Sequence, residues 1–239
     1  MTRLAFVATL AFIATTRAAS AQVGYEPQRS PYRDLERSHE LTLSSGAYRA
    51  HPDAAHVAPQ SGVMLGVRYQ WLAGGPANLT AEFARVASQR RVLDPDLPKC
   101  ATGEPNDCKL ISTFRWPLYF ADVGMALNLT GSRSYHHVVP EVRGGLGLVS
   151  DFHTSGDVGD FAFGTRFAIT WGGGIRWVVA PPLQLRFDLA NRLYKVRYPV
   201  TYYTPAPDSS AILVPFLNKR SAWMNNAALT VGASFLFGR

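Results

Sequence analysis

Residues 163–179 alternate without interruption. Phe163, Thr165, Phe167, Ile169, Trp171, Gly173, Ile175, Trp177 and Val179 fall on one parity, and Gly164, Arg166, Ala168, Thr170, Gly172, Gly174, Arg176 and Val178 on the other. A side-chain period of two belongs to an extended strand, and at this length it implies one apolar face and one small or charged face.

The same pattern recurs along the chain. Leu183, Leu185, Phe187 and Leu189 alternate with Gln184, Arg186, Asp188 and Ala190; Val63, Leu65, Val67, Tyr69 and Trp71 with Gly66, Arg68 and Gln70. Trp223, Ala227, Leu229, Val231, Ala233, Phe235 and Phe237 oppose Asn226, Thr230 and Ser234, and Val142, Leu146 and Leu148 oppose Glu141, Arg143, Gly145 and Gly147. Shorter alternations cover 39–49 and 79–83. In 114–129 the parity changes after Leu118, which predicts a bulge near Pro117. The expected fold is all-β with eight strands.

The connections alternate too. Those over 50–61, 88–112, 150–162 and 196–222 are long, whereas 73–78, 131–137 and 180–182 are short. Long loops at one end and tight turns at the other are the habit of antiparallel up-and-down transmembrane β-barrels, whose long loops are external and whose short turns are periplasmic.

A soluble barrel alternates as well, so the decisive matter is which face is inside. In water the apolar face fills the lumen; in a membrane the faces are inverted. Here the apolar parity is large and aromatic, and the other is rich in Gly, Ala, Ser and Thr, which suits a narrow lumen. Its charges are of both signs, so Arg68, Arg143, Arg166, Arg176 and Arg186 are expected to pair inside with Glu82, Asp122, Glu141 and Asp188. The expectation is an outer-membrane barrel with a lumen closed by ion pairs, and a soluble periplasmic lipocalin-like binder is the alternative.

The start of the chain fits export. Arg3, the apolar run 4–14 and the small-x-small site Ala19-Ser20-Ala21 read as a signal peptide over 1–21. Residues 22–37 then form an N-terminal periplasmic segment, and 38–239 the barrel. Of 24 Lys+Arg, Arg3 and Arg17 fall in the leader; the 22 that remain face 17 Asp+Glu, for about +5. The arginines are scattered singly, which argues against nucleic acid and towards anionic lipopolysaccharide and membrane lipids as partners. Cys100 and Cys108, close together in a polar segment, read as a local disulfide in an oxidising compartment.

Over 38–237 the chain resembles the OmpA/OmpX-type small outer-membrane barrels. The residues that carry this are Val142-Arg143-Gly144-Gly145-Leu146-Gly147-Leu148, the strand-turn-strand from Trp171-Gly172-Gly173-Gly174 through Pro181-Pro182 to Asp188, and the alternating last strand. The resemblance implies a non-enzymatic role, structural or in surface interaction through the external loops, and insertion by the barrel-assembly machinery. Such chains end on an aromatic residue, whereas here Gly238 and Arg239 follow Phe237.

Candidate chemistry is sparse. His153 and Ser155, with Asp157 as orienting acid, resemble outer-membrane lipid A deacylases in the His-x-Ser alone, and the downstream glutamate of those enzymes has no match. His51, Asp53 and His56 supply too few fixed ligands for a metal, and no cofactor is expected. The sequons at Asn78 and Asn128 fall at strand edges of a bacterial-type chain and carry no weight. Within 196–222, Tyr198, Tyr202, Tyr203 and Phe216 make an unusually apolar loop, the first choice for binding a surface ligand.

Overall fold

The computed structural model describes residues 30–35, 37–72, 75–97, 109–204, 213–214 and 220–238. Its strands are β1 (Tyr32–Asp34), β2 (His39–Arg49), β3 (Gly62–Leu72), β4 (Ala77–Val86), β5 (Gln89–Leu93), β6 (Leu110–Arg115), β7 (Leu118–Asn128), β8 (Arg133–Tyr135), β9 (Val138–Ser150), β10 (Thr165–Ala180), β11 (Leu183–Arg197) and β12 (Ser221–Phe237). Eight of them close a ring in the order β2-β3-β4-β7-β9-β10-β11-β12, every pairing antiparallel, with β12 returning to β2 through Phe235 opposite Leu41. Closure leaves no unpaired edge in the wall.

The eight strands are those the alternation marks, with three differences. The parity change near Pro117 is not a bulge. β6 belongs to a separate two-stranded ribbon with β5, and the barrel strand β7 begins afresh at Leu118. Phe163, expected on the outer face, is buried instead, because the chain turns at Gly164 (φ +62°) before β10 starts. The strand predicted over 183–190 runs on to Arg197, which carries three more inward residues, Arg192, Tyr194 and Val196.

At the turn end, β1 pairs with β8: Tyr32 lies opposite Tyr135 and Asp34 opposite Arg133. Residues 32–34 therefore form a small ribbon against the turn between β7 and β9. The expected leader, 1–21, lies outside the described residues.

The faces are inverted as the sequence leads one to expect. Outward positions such as Leu43, Val67, Phe83, Val123, Leu146, Trp177, Phe187 and Phe235 are exposed, while Arg68, Arg176, Arg186 and Arg192 are buried inside. Among the described residues no helix is long and apolar enough to cross a membrane, which says nothing of a barrel.

Candidate functional site

The lumen has two layers. In the half towards the turns, inward residues of seven strands supply five arginines, Arg68, Arg143, Arg176, Arg186 and Arg192, and five carboxylates, Glu40, Glu82, Asp122, Glu141 and Asp188. Arg186 Nη1 donates to Glu40 (2.6 Å), its other terminal nitrogen to Glu141, and its Nε lies 3.5 Å from Asp188. Arg176 bonds Glu40 at 2.7 Å and the Asn128 amide oxygen, and lies 3.3 Å from Glu141. Arg68 joins Glu82 (2.8 Å) to Asp188 (3.2 Å), Arg143 reaches Glu82 at 2.7 Å, and Arg192 bridges Glu82 and Asp122.

Every cation thus has an anion and the formal charges cancel. Burying an ion is tolerated only when it is paired and hydrogen-bonded, so a neutral, cross-linked set is the form in which ten charges can occupy a narrow lumen. Small neighbours make the room: a Cβ on Gly174 would run into the Asp188 carboxylate.

Towards the long loops the lumen turns apolar. Tyr48, Met64, Ala84, Val86, Leu118, Phe120, Val149, Ala168, Tyr194 and Met224 continue the inward parity as a core, and the loops fold onto it. The guanidinium of Arg192 lies 4.5 Å from the Phe120 ring where the layers meet.

The loops interlock through a few buried polar groups. Asp53 of the first loop accepts from the amides of Ala55 (3.2 Å) and Ala58 (2.9 Å) and from the Tyr198 hydroxyl of the fourth (2.9 Å). Burial first, then the Asp53 charge, pushes the Tyr198 hydroxyl well above its ordinary range, so it remains a donor. Arg90, on β5, donates to Asp157 of the third loop (3.0 Å) and is flanked by the rings of Trp116 and Phe161. Thr201 donates to the carbonyl of Gly159 at 2.7 Å, tying the fourth loop to the third. The described loop residues form a packed cap over the barrel mouth.

Of the residues expected in the lumen, Arg68, Glu82, Asp122, Glu141, Arg143, Arg176, Arg186 and Asp188 lie in the ion-pair network. Arg166 does not: it sits at the mouth and donates to the carbonyls of Phe163 (2.8 Å) and Ala162 (3.2 Å). Glu40 and Arg192 join the network unforeseen, although both share a parity with polar neighbours on their strands. Asn78 and Asn128 face inward and are buried.

The expected loop-binding residues are mostly internal. Tyr198 and Tyr202 are buried in the cap, so they cannot serve as an exposed contact surface, and Tyr203 is half-buried beside Arg220. Phe216, Cys100 and Cys108 lie outside the described residues.

The catalytic candidates do not assemble. Asp157 is held by Arg90 and by the amides of Gly159 and Phe161, whereas the His153 ring meets the Asp151 carbonyl (2.9 Å) and packs against Trp116. Ser155 is exposed, and no hydrogen bond among the described residues joins it to His153. No group of His, Cys, Asp or Glu among the described residues is arranged to hold a metal ion.

A closed ring of eight antiparallel strands, apolar outside and ion-paired within, decides the architecture. It is an eight-stranded antiparallel up-and-down β-barrel. No family model matches the chain, and no curated protein does. Among solved structures, Neisserial surface protein A is similar at TM-score 0.48 and 12% identity, over 83% of this chain and 97% of that one. Outer membrane protein W of E. coli is similar at TM-score 0.44 and 12% identity, over 84% and 100%. Ail, the attachment invasion locus protein of Yersinia pestis, is similar at TM-score 0.41 and 12% identity, over 83% and 99%. The registers of the ring, not these distant likenesses, establish the barrel.

Proposed function

We propose that the chain is a non-enzymatic protein of the bacterial outer membrane, spanning it as a barrel with a sealed lumen and acting through the surface at its loop end. The observation that carries this is the inversion of the two faces. On β12 the outward residues Ala227, Leu229, Val231, Ala233, Phe235 and Phe237 are all apolar, while Asn226, Ala228, Thr230, Ser234 and Leu236 are buried. At about 3.4 Å per residue and a tilt near 40°, that stretch covers roughly 26 Å of height, close to the apolar band of a transmembrane barrel. In water such a belt would be an aggregation surface.

The lumen argues against conduction. The ten charges of its ion-paired layer are matched among the described residues, and the apolar core with the described loop residues packed on it narrows the lumen on one side. Eight strands also enclose too little space for an aqueous pore.

Fractionation tests the membrane reading. The protein should sediment with outer membranes, resist carbonate extraction and migrate faster in unheated than in boiled electrophoresis samples. Recovery in the soluble periplasmic fraction would overturn it. Reconstituted in planar bilayers, it should give no stable conductance.

A further inference from the structure

The outward face carries its charge at one end only. Among the described outward positions of the eight barrel strands, the Lys, Arg, Asp and Glu residues are Arg49, Arg85, Lys195 and Arg197, all basic and all at the loop end. The turn end of that face carries Tyr69, Trp71, Trp177 and Phe237 instead. The carboxylates of the described barrel wall point inward and are neutralised there, so the outer surface is left with cations alone.

Three of the four lie on β11 and β2, on either side of β12. Lys195 lies opposite Trp223 and its ammonium stands 5.8 Å from that ring. One outward step higher, Arg197 lies opposite Ser221, and Arg220 follows, its carbonyl accepting from the Tyr198 amide at 3.0 Å. Arg49 lies opposite Ala227 on the other side of β12, below Trp223. Asn191 and Asn225 stand between them on the same face. None of Arg49, Lys195, Arg197 and Arg220 forms an ion pair among the described residues. Directly beneath are Leu189, Leu229 and Val231.

We propose that this patch binds the phosphate groups of a phosphorylated glycolipid, the chemistry of lipopolysaccharide, with the acyl chains lying on the apolar strands below. The proposal rests on the membrane reading above. Charge complementarity selects the occupant. An anionic headgroup confined to one leaflet meets cations at one end of the barrel, and several phosphates on one molecule can be held by arginines and a lysine spread over about 20 Å along the strands. Trp223 sits where an amphipathic ring favours the boundary between headgroup and chain.

The test uses the full mature chain refolded into phosphatidylcholine vesicles. Circular dichroism and the electrophoretic heat shift first establish insertion; a chain that fails there refutes the membrane reading, not the patch. Binding of fluorescent lipopolysaccharide should be saturable and weaken with salt. It should fall at least about tenfold in the Arg49→Gln/Lys195→Gln/Arg197→Gln/Arg220→Gln variant, and stay unchanged in Arg85→Gln on the opposite wall. Dephosphorylated lipopolysaccharide should bind wild type no better than the intact form binds the fourfold variant. Full binding by an inserted fourfold variant would overturn the proposal. So would an equal loss in Arg85→Gln, or equal affinity for phosphatidylglycerol at matched charge.

Discussion

Replacing Arg186 by Met isolates the energetics of the ion-paired lumen. Arg186 is fully buried and touches Glu40, Glu141 and Asp188. Without it, Glu40 keeps Arg176, Glu141 keeps Arg176 and a longer contact with Arg68, and Asp188 keeps Arg68, but the cluster becomes four cations against five anions. Removing one partner from a buried ion pair costs about 3–5 kcal/mol, because the orphaned charge stays where water cannot reach it. At about 1.4 kcal/mol per decade that is a fall of roughly a hundredfold to several thousandfold in the folded-to-unfolded ratio. Adding Glu40→Gln restores four against four, so the double variant should recover at least half of the loss even though the glutamine offers Thr42 and Arg176 one acceptor oxygen in place of two. Urea unfolding in vesicles, followed by tryptophan fluorescence and the heat shift, measures both. A loss below about 1 kcal/mol in R186M, or a double variant less stable than the single one, would refute the view that charge balance governs this lumen.

Other outcomes follow from the same geometry. Val231→Arg, on the outer face, should cost about 2–4 kcal/mol in vesicles, and a neutral result by urea titration would count against a bilayer around β12. Asp53→Ala strips the Ala55 and Ala58 amides and the Tyr198 hydroxyl of their acceptor, for a loss of about 1–3 kcal/mol; it should speed proteolysis of the first and fourth loops before the barrel unfolds. Gly174→Ala should impair folding by displacing Asp188, seen as a smaller heat-shifted fraction, whereas Gly131→Ala, at a turn with open space but φ +70°, should cost only local strain. Ser155→Ala should leave lipid A unchanged by mass spectrometry relative to wild type, and a difference would revive a hydrolytic role.

The fold was legible because a membrane-type barrel writes its architecture in parity, and parity is local. Glu40 and Arg192 show how far that legibility extends. Both lie on the inward parity, Glu40 with Thr42 and Arg192 with Arg186 and Asp188, and following each strand to its end finds them. The cap was not legible in this way. Asp53 reaches Tyr198 across 145 residues and Arg90 reaches Asp157 across 67, with nothing in the local pattern of either loop to announce the meeting. Tyr198 and Tyr202 were hidden for the same reason: tyrosines in an apolar loop read as an exposed binding surface until the core they cover is known. The Pro117 region is intermediate, since the change of parity was visible but could mean either a bulge or a second sheet.

The two-layer lumen explains why function is expected at the outer surface of the loop end. An ion-paired layer is rigid and electrically silent, because paired charges present little field beyond the wall. An apolar layer above it gives the loops a floor to pack on, so they too are held. What the described barrel strands carry as charge on their outward face is cationic, most of it in the rim around Trp223, Lys195 and Arg197. A field from fixed cations at a bilayer surface acts over about a Debye length and selects anionic partners before any contact is made. The same carboxylates that pair with the arginines of the lumen therefore also leave the rim positive, and moving even one of them to the outer face would weaken both.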